Sequence, residues 1–137
     1  MKLAQVIVAL TLAGVGTVLS NPSQAFDLNG AWTSNVTACA DIFETHGGKA
    51  LSIKGDAGMY GDGFIVQGDK ILATAATCTI KTRKSVGPVT HLIAVCAPGS
   101  VALSTFQFSY KVTDENTIVR VFPGVSALDT TYRRCIF

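Results

Sequence analysis

Four cysteines, two histidines and one glycine-rich stretch with two carboxylates are the residues of this sequence best equipped for chemistry. Cys39, Cys78, Cys96 and Cys135 lie 39, 18 and 39 residues apart. Zinc sites are built from close-set ligand pairs, so this spacing speaks against a metal centre. Two disulfides are the expected outcome, and four thiols allow three pairings. Hairpin geometry selects one of them. If Thr77 to Arg83 and Val89 to Cys96 pair across Lys84-Ser85-Val86-Gly87-Pro88, opposing residue numbers add to 174 and Cys78 faces Cys96. Opposed Cβ atoms in a sheet are about 4.5 to 5.5 Å apart, near disulfide reach. Cys39 is then left with Cys135, joining the start of the domain to its end.

A nucleophilic enzyme needs a base, and His46 and His91 are the only histidines. His46 sits in Glu44-Thr45-His46-Gly47-Gly48, which reads as a surface loop after a short helix. His91 falls on a strand opposite Arg83 in the same register, where a cationic neighbour suits an exposed residue better than a base. The sequence has no G-x-S-x-G elbow. The stretch Gly55-Asp56-Ala57-Gly58-Met59-Tyr60-Gly61-Asp62-Gly63 departs from the calcium-loop pattern and lacks the lysine of a phosphate loop. It reads as a β-connection with glycines at positive φ, placed to form a lip over a barrel mouth. Asn35-Val36-Thr37 matches the N-glycosylation triplet, a match common by chance. No catalytic, metal or cofactor site is expected.

The elements that position these residues begin after a leader. Met1-Lys2 is followed by an uncharged apolar run from Val6 to Leu19, then by Ser20-Asn21-Pro22-Ser23-Gln24-Ala25. Small residues at Ser23 and Ala25 fit a signal-peptidase site after Ala25. The run is short for a membrane span, which needs about 20 residues. Residues 1–25 are therefore read as a signal peptide and 26–137 as one disulfide-linked β domain. The expected location is the periplasm or the exterior, where disulfides persist. Without Lys2 the domain has 10 Lys and Arg against 9 Asp and Glu, too balanced to track nucleic acid.

Turn signals recur every 8 to 12 residues or so, the spacing of a sandwich or barrel. Leu103 to Val112 is the clearest strand, with Phe106, Phe108, Tyr110 and Val112 alternating against polar residues. Thr117 to Phe122 returns across Asp114-Glu115-Asn116. One register sets Arg120 opposite Tyr110. A slip of one residue puts Val119 and Val121 on the aromatic face and is preferred, because it avoids burying a guanidinium. Gly63 to Gln67 and Lys70 to Ala73 form a tight hairpin across Gly68-Asp69. Ala50 to Lys54 is a short strand with Leu51 and Ile53 on one side. Leu28 to Thr33 is the first strand and Thr130 to Phe137 the last, while Pro98-Gly99 and Pro123-Gly124 mark breaks. Only Thr37 to Thr45 looks helical, with Thr37 as its N-cap. The whole is all-β: an eight- or nine-stranded antiparallel meander that closes into a small barrel to remove its edges, with Cys39–Cys135 locking the closure.

Gly30-Ala31-Trp32 opens the domain with G-x-W. It resembles the first-strand signature of lipocalins and related small barrels. The resemblance implies that Trp32 plugs the closed end beneath an arginine of the last strand, Arg134 or less readily Arg133. Over a longer range the chain resembles short exported proteins of alphaproteobacteria, particularly rhizobia. That likeness rests on Gly30-Ala31-Trp32, Tyr60-Gly61-Asp62-Gly63-Phe64-Ile65, Thr77-Cys78-Thr79-Ile80-Lys81 and Thr131-Tyr132-Arg133-Arg134-Cys135, and it carries no activity. The expected role is an exported, non-catalytic binding module. Trp32, Phe64, Phe106, Phe108 and Tyr110 would line a cavity for a small apolar ligand, unless they simply fill the interior. The alternative is a protein-interaction role, such as a protease inhibitor or an envelope assembly factor.

Overall fold

The structure, a computed structural model, describes residues 25–97 and 103–137. The expected signal segment up to residue 24 and Pro98-Gly99 lie outside the described residues. Among the described residues ten strands form a closed eight-stranded antiparallel barrel and a two-stranded sheet beside it. β1 (Gly30–Thr33) is followed by a long excursion that holds helix α1 (Cys39–Ile42), β2 (Phe43–His46) and β3 (Lys49–Ile53). The chain then runs up and down through β4 (Gly63–Gln67), β5 (Lys70–Ala73), β6 (Thr77–Val86), β7 (Val89–Ala97), β8 (Ser104–Asp114), β9 (Thr117–Arg120) and β10 (Thr130–Arg134). β1 lies between β10 and β4 and closes the ring. Among the described residues no helix is long and apolar enough to cross a membrane.

Period-two alternation explains which side chains fill the barrel. Trp32, Phe64, Ile80, Leu92, Phe108, Ile118 and Tyr132 belong to one buried cluster, together with the Cys78 and Cys96 sulfurs. A second cluster lies outside the wall. Ala31 and Ile65, which alternate with Trp32 and with Phe64 and Val66, meet Ala38, Ile42, Phe43 and Ala57 of the excursion. β4 is therefore covered on both faces and reads as a nearly continuous apolar run, buried from Gly63 to Val66. The covering layer approaches closely: a Cβ at Gly63 would stand 2.9 Å from Phe43 Cζ and 3.1 Å from Ile42 Cγ2.

Both disulfides join the expected partners, Cys78 with Cys96 and Cys39 with Cys135. Cys39 lies on α1, within the stretch expected to be helical. Its bridge does not lock the first strand to the last; it clamps the excursion to the end of β10. The β1–β10 seam itself is held by backbone pairing, including Cys135 N–H to the Ala31 carbonyl at 2.8 Å.

Several local expectations are corrected. The helix does not run from Thr37 to Thr45. A 3-10 turn at Val36–Ala38 leads into α1, and the chain turns extended at Phe43. Thr37 is not an N-cap; its hydroxyl donates to Asn35 Oδ1 at 2.8 Å. In β3, Leu51 is exposed. Ala50 and Ile53 pack inward instead, because the β2–β3 pairing shifts register after Glu44. The β6–β7 turn is only Gly87-Pro88, and the register shifts between Ile80 and Thr82. Cys78 still meets Cys96 below the bulge, but above it His91 faces Lys84 rather than Arg83.

The preferred β8–β9 register is also overturned. Arg120 does face Tyr110, and Ile118 rather than Val119 points inward, fully buried. A bulge near Asp114 sets this register, and the aromatic interior accepts the guanidinium by stacking instead of excluding it.

Removing the Cys39–Cys135 bridge with paired alanines is expected to cost about 4 to 5 kcal/mol on the chain-entropy scale for a 96-residue separation, against about 3 for the 18-residue one. Guanidinium unfolding of the two double variants checks this. Equal losses, or a larger loss for the shorter loop, would contradict the ranking.

Candidate ligand sites at the two ends of the barrel

One end of the barrel carries the residues before β1 and the turns at 68–69, 87–88 and 115–116. Trp32 closes it from within, fully buried, with its indole N–H donating to the Leu28 carbonyl at 2.8 Å. Arg134 lies across the indole, Cζ 4.4 Å from the ring centroid. Such contacts contribute about 0.5 to 2 kcal/mol, more as they are desolvated. The same guanidinium donates to the carbonyls of Asn29, Asp27 and Glu115, the last two at 2.7 and 3.1 Å. Gly30 makes room for it: the backbone there has φ +125°, and a Cβ would stand 3.2 Å from Arg134 Nη1. Each position of the G-x-W motif thus has a physical reason, and Arg134 rather than Arg133 covers the tryptophan.

Outside Trp32, Phe26 packs 6.2 Å from the indole and 6.3 Å from Tyr110, centroid to centroid. Beside it opens a cleft of about 600 Å³. Its apolar side comes from Phe26, Leu28, Val66 and Tyr110. Its polar side is ordered. Ser85 and Thr90 share a hydroxyl–hydroxyl hydrogen bond of 3.0 Å across the β6–β7 hairpin. Arg83 donates to the Gly68 carbonyl at 2.7 Å, and Asp69 completes the rim. Burial raises the Tyr110 hydroxyl above its usual range, while Thr90 and the Arg83 charge pull it partly back.

Of the five proposed cavity residues, Trp32, Phe64, Phe108 and Tyr110 are inside, and they largely face one another. Phe64 packs edge-on against Phe108 at 5.3 Å and against Tyr132 at 5.1 Å. Only Tyr110 also lines the cleft. Phe106 does not join the interior: it is 41% exposed at the opposite end, where β8 begins.

That second end carries the connections 34–62, 74–76 and 121–129. Arg120 points into it. Its Cζ lies 4.6 Å from the Phe122 ring centroid, 5.1 Å from Phe108 and 5.3 Å from Phe106. Nearby, the buried Tyr132 donates its hydroxyl to the Asp62 carboxylate. Burial, then the hydrogen bond and charge of Asp62, push Tyr132 up to about 12, and Arg120 offsets part of this. Sequence reasoning missed this group. The inward alternation Ile118, Arg120, Phe122 was the available signal, and it depended on the register.

The remaining chemical residues are structural or surface features. His91 Nδ1 meets Ser109 Oγ at 2.7 Å on the outer face, and Gln107 Nε2 donates to the same hydroxyl at 3.1 Å. The Ser109 hydroxyl is thus tied into a cross-strand network and is buried. His46 ends β2, exposed, beside Lys49. The glycine-rich stretch is anchored rather than a loose lip: Ser34 N–H and Thr33 Oγ1 both donate to the Asp62 carbonyl, at 3.0 and 2.9 Å. Of its four glycines only Gly61 has positive φ. Among the described residues no group of three or more His, Cys, Asp or Glu is placed to hold a metal. No protein-family model, curated protein or solved structure matches the chain.

Because the folded state raises the Tyr132 pKa above its ordinary 10, its stabilising effect is complete below pH 10 and fades as pH rises through about 12. Ultraviolet titration should show one phenol ionising near pH 12, and Tyr132→Phe should remove that step. A titration in which every phenol ionises together near pH 10 would contradict the buried hydroxyl.

Proposed function

We propose that the chain is an exported, non-catalytic binding module that takes a small, largely apolar ligand at the Trp32 end. The observation that carries this reading is the cleft of about 600 Å³, whose apolar side faces hydroxyl groups and an arginine. Ligand sites commonly have this composition, an apolar lining with a few convergent polar groups. Phe26 and Tyr110 would pack against the ligand body, and Ser85, Thr90 or Arg83 would hold one polar group of it. The two disulfides are consistent with an oxidising, extracellular environment. Cleavage after Ala25 would take that residue from the rim of the cleft and leave Phe26, which lines it, as the first residue of the mature chain.

Titration with the neutral probe N-phenyl-1-naphthylamine should quench Trp32, the single tryptophan, saturably and with one site per chain. Thr90→Phe, which fills the cleft, should weaken the probe by about tenfold or more, the loss of one well-packed apolar contact surface. Quenching that never saturates, or an unchanged midpoint in the variant, would sink the cleft as a binding site. The export claim has its own check. Mass spectrometry of protein taken from the cell envelope should find a chain beginning at Phe26 and four hydrogens lighter than its fully reduced form.

A further inference from the structure

We infer that the opposite end of the barrel holds a recognition point for a small carboxylate with an apolar body, centred on Arg120. This does not rest on the cleft at the Trp32 end. It starts from an oddity of β9. Ile118 and Arg120 face the interior, and Ile118 is fully buried. An inward position at the end of a small barrel ordinarily takes an apolar residue. Here it takes a half-buried guanidinium.

Among the described residues the surroundings supply aromatic faces rather than an ion pair. Phe106, Phe108 and Phe122 all lie within 5.3 Å of its Cζ. Asp62 accepts the hydrogen bond of Tyr132 and is itself exposed to water, and Asp129 accepts the Phe122 N–H. The Tyr132 hydroxyl donates to Asp62 and interacts with Arg120 through both charge and a hydrogen bond.

This is how a planar cation is prepared for a planar anion. Aromatic rings hold a guanidinium in place without neutralising it; the Tyr132 oxygen is the one side-chain acceptor within its reach among the described residues, and the N–H fork matches the two oxygens of a carboxylate. Arg134 provides the internal contrast. It too lies on aromatic rings, but its N–H groups are given to three backbone carbonyls. Arg134 is consumed by structure, whereas Arg120 makes no comparable set of backbone bonds among the described residues. Phe106, 41% exposed beside it, offers an apolar face to the body of the same ligand.

The test is an NMR titration of isotope-labelled protein with benzoate, benzyl alcohol and acetate at constant ionic strength. Benzoate should saturate, shifting the resonances of Phe106, Arg120, Phe122 and Tyr132 rather than those of Phe26, Arg83 and Tyr110. It should bind about tenfold tighter than benzyl alcohol, which lacks the charge, and than acetate, which lacks the ring. Arg120→Met should bring benzoate down to the level of benzyl alcohol, with a Tm within about 4 °C of the parent. Asp62→Asn, which removes the neighbouring negative charge, should tighten benzoate about twofold or more.

Benzoate binding that survives Arg120→Met would overturn the proposal. So would equal affinity for all three probes, or shifts confined to the Trp32 end. If Arg120→Met unfolds the chain, the Asp62→Asn and three-probe results decide alone. A folded Arg120→Met variant melting far below the parent, with benzoate still bound, would make Arg120 a structural plug.

Discussion

The fold depends on the meeting of its first and last strands. Seven antiparallel strands from β4 to β10 form a curled sheet with two exposed edges, and such edges invite pairing with other chains. β1 removes both at once, pairing with β4 on one side and β10 on the other. The register places Trp32 beside Arg134 across the seam. The backbone pairing that closes the ring therefore also sets the indole beneath the guanidinium. Arg134 then draws in the 27–29 segment and the β8–β9 turn through their carbonyls. Closure, the sealing of one end and the anchoring of the entering chain share a single side chain.

A second constraint follows from that first strand. β1 has only four residues, and the 29 residues before β4 must go somewhere. They fold back over the outside of β1, β4 and β5, so the wall there has two apolar faces while the strands farther round the ring have one. Gly63 marks where this outer layer comes closest. The two buried clusters lie on opposite faces of this wall, with Trp32, Phe64 and Val66 on one and Ala31 and Ile65 on the other.

Much of the architecture was legible in the residues. Alternation gave the barrel strands, Gly68-Asp69 gave its hairpin, and one numerical register gave both disulfides. What escaped has a common cause. A bulge leaves no mark in composition, yet it moves every later residue by one place. The turn at Gly87-Pro88 sets His91 against Lys84 and by itself would set Cys78 against Ala97; the shift between Ile80 and Thr82 brings Cys78 back to Cys96. The bulge near Asp114 decided whether Arg120 faced the interior, and the rule that guanidiniums stay outside pointed the wrong way, because aromatic faces can host one. Phe43 to Thr45 reads as the end of a helix by local propensity, but pairing with β3 draws it into a strand. The cleft could not be foreseen either. It is formed by residues far apart in the chain, including Phe26 and Thr90, that meet only once the ring closes.

The bridge between α1 and the end of β10 has a consequence for how the molecule comes apart. Without it, the outer layer could peel away in a subglobal opening while the ring stayed whole, exposing the backs of β1 and β4 to hydrogen exchange and to proteases. Cys39–Cys135 fastens that layer to the last strand, so lifting the one strains the other. The covalent link merges what would be two cooperative units into one, and a thiol-rich compartment would separate them again.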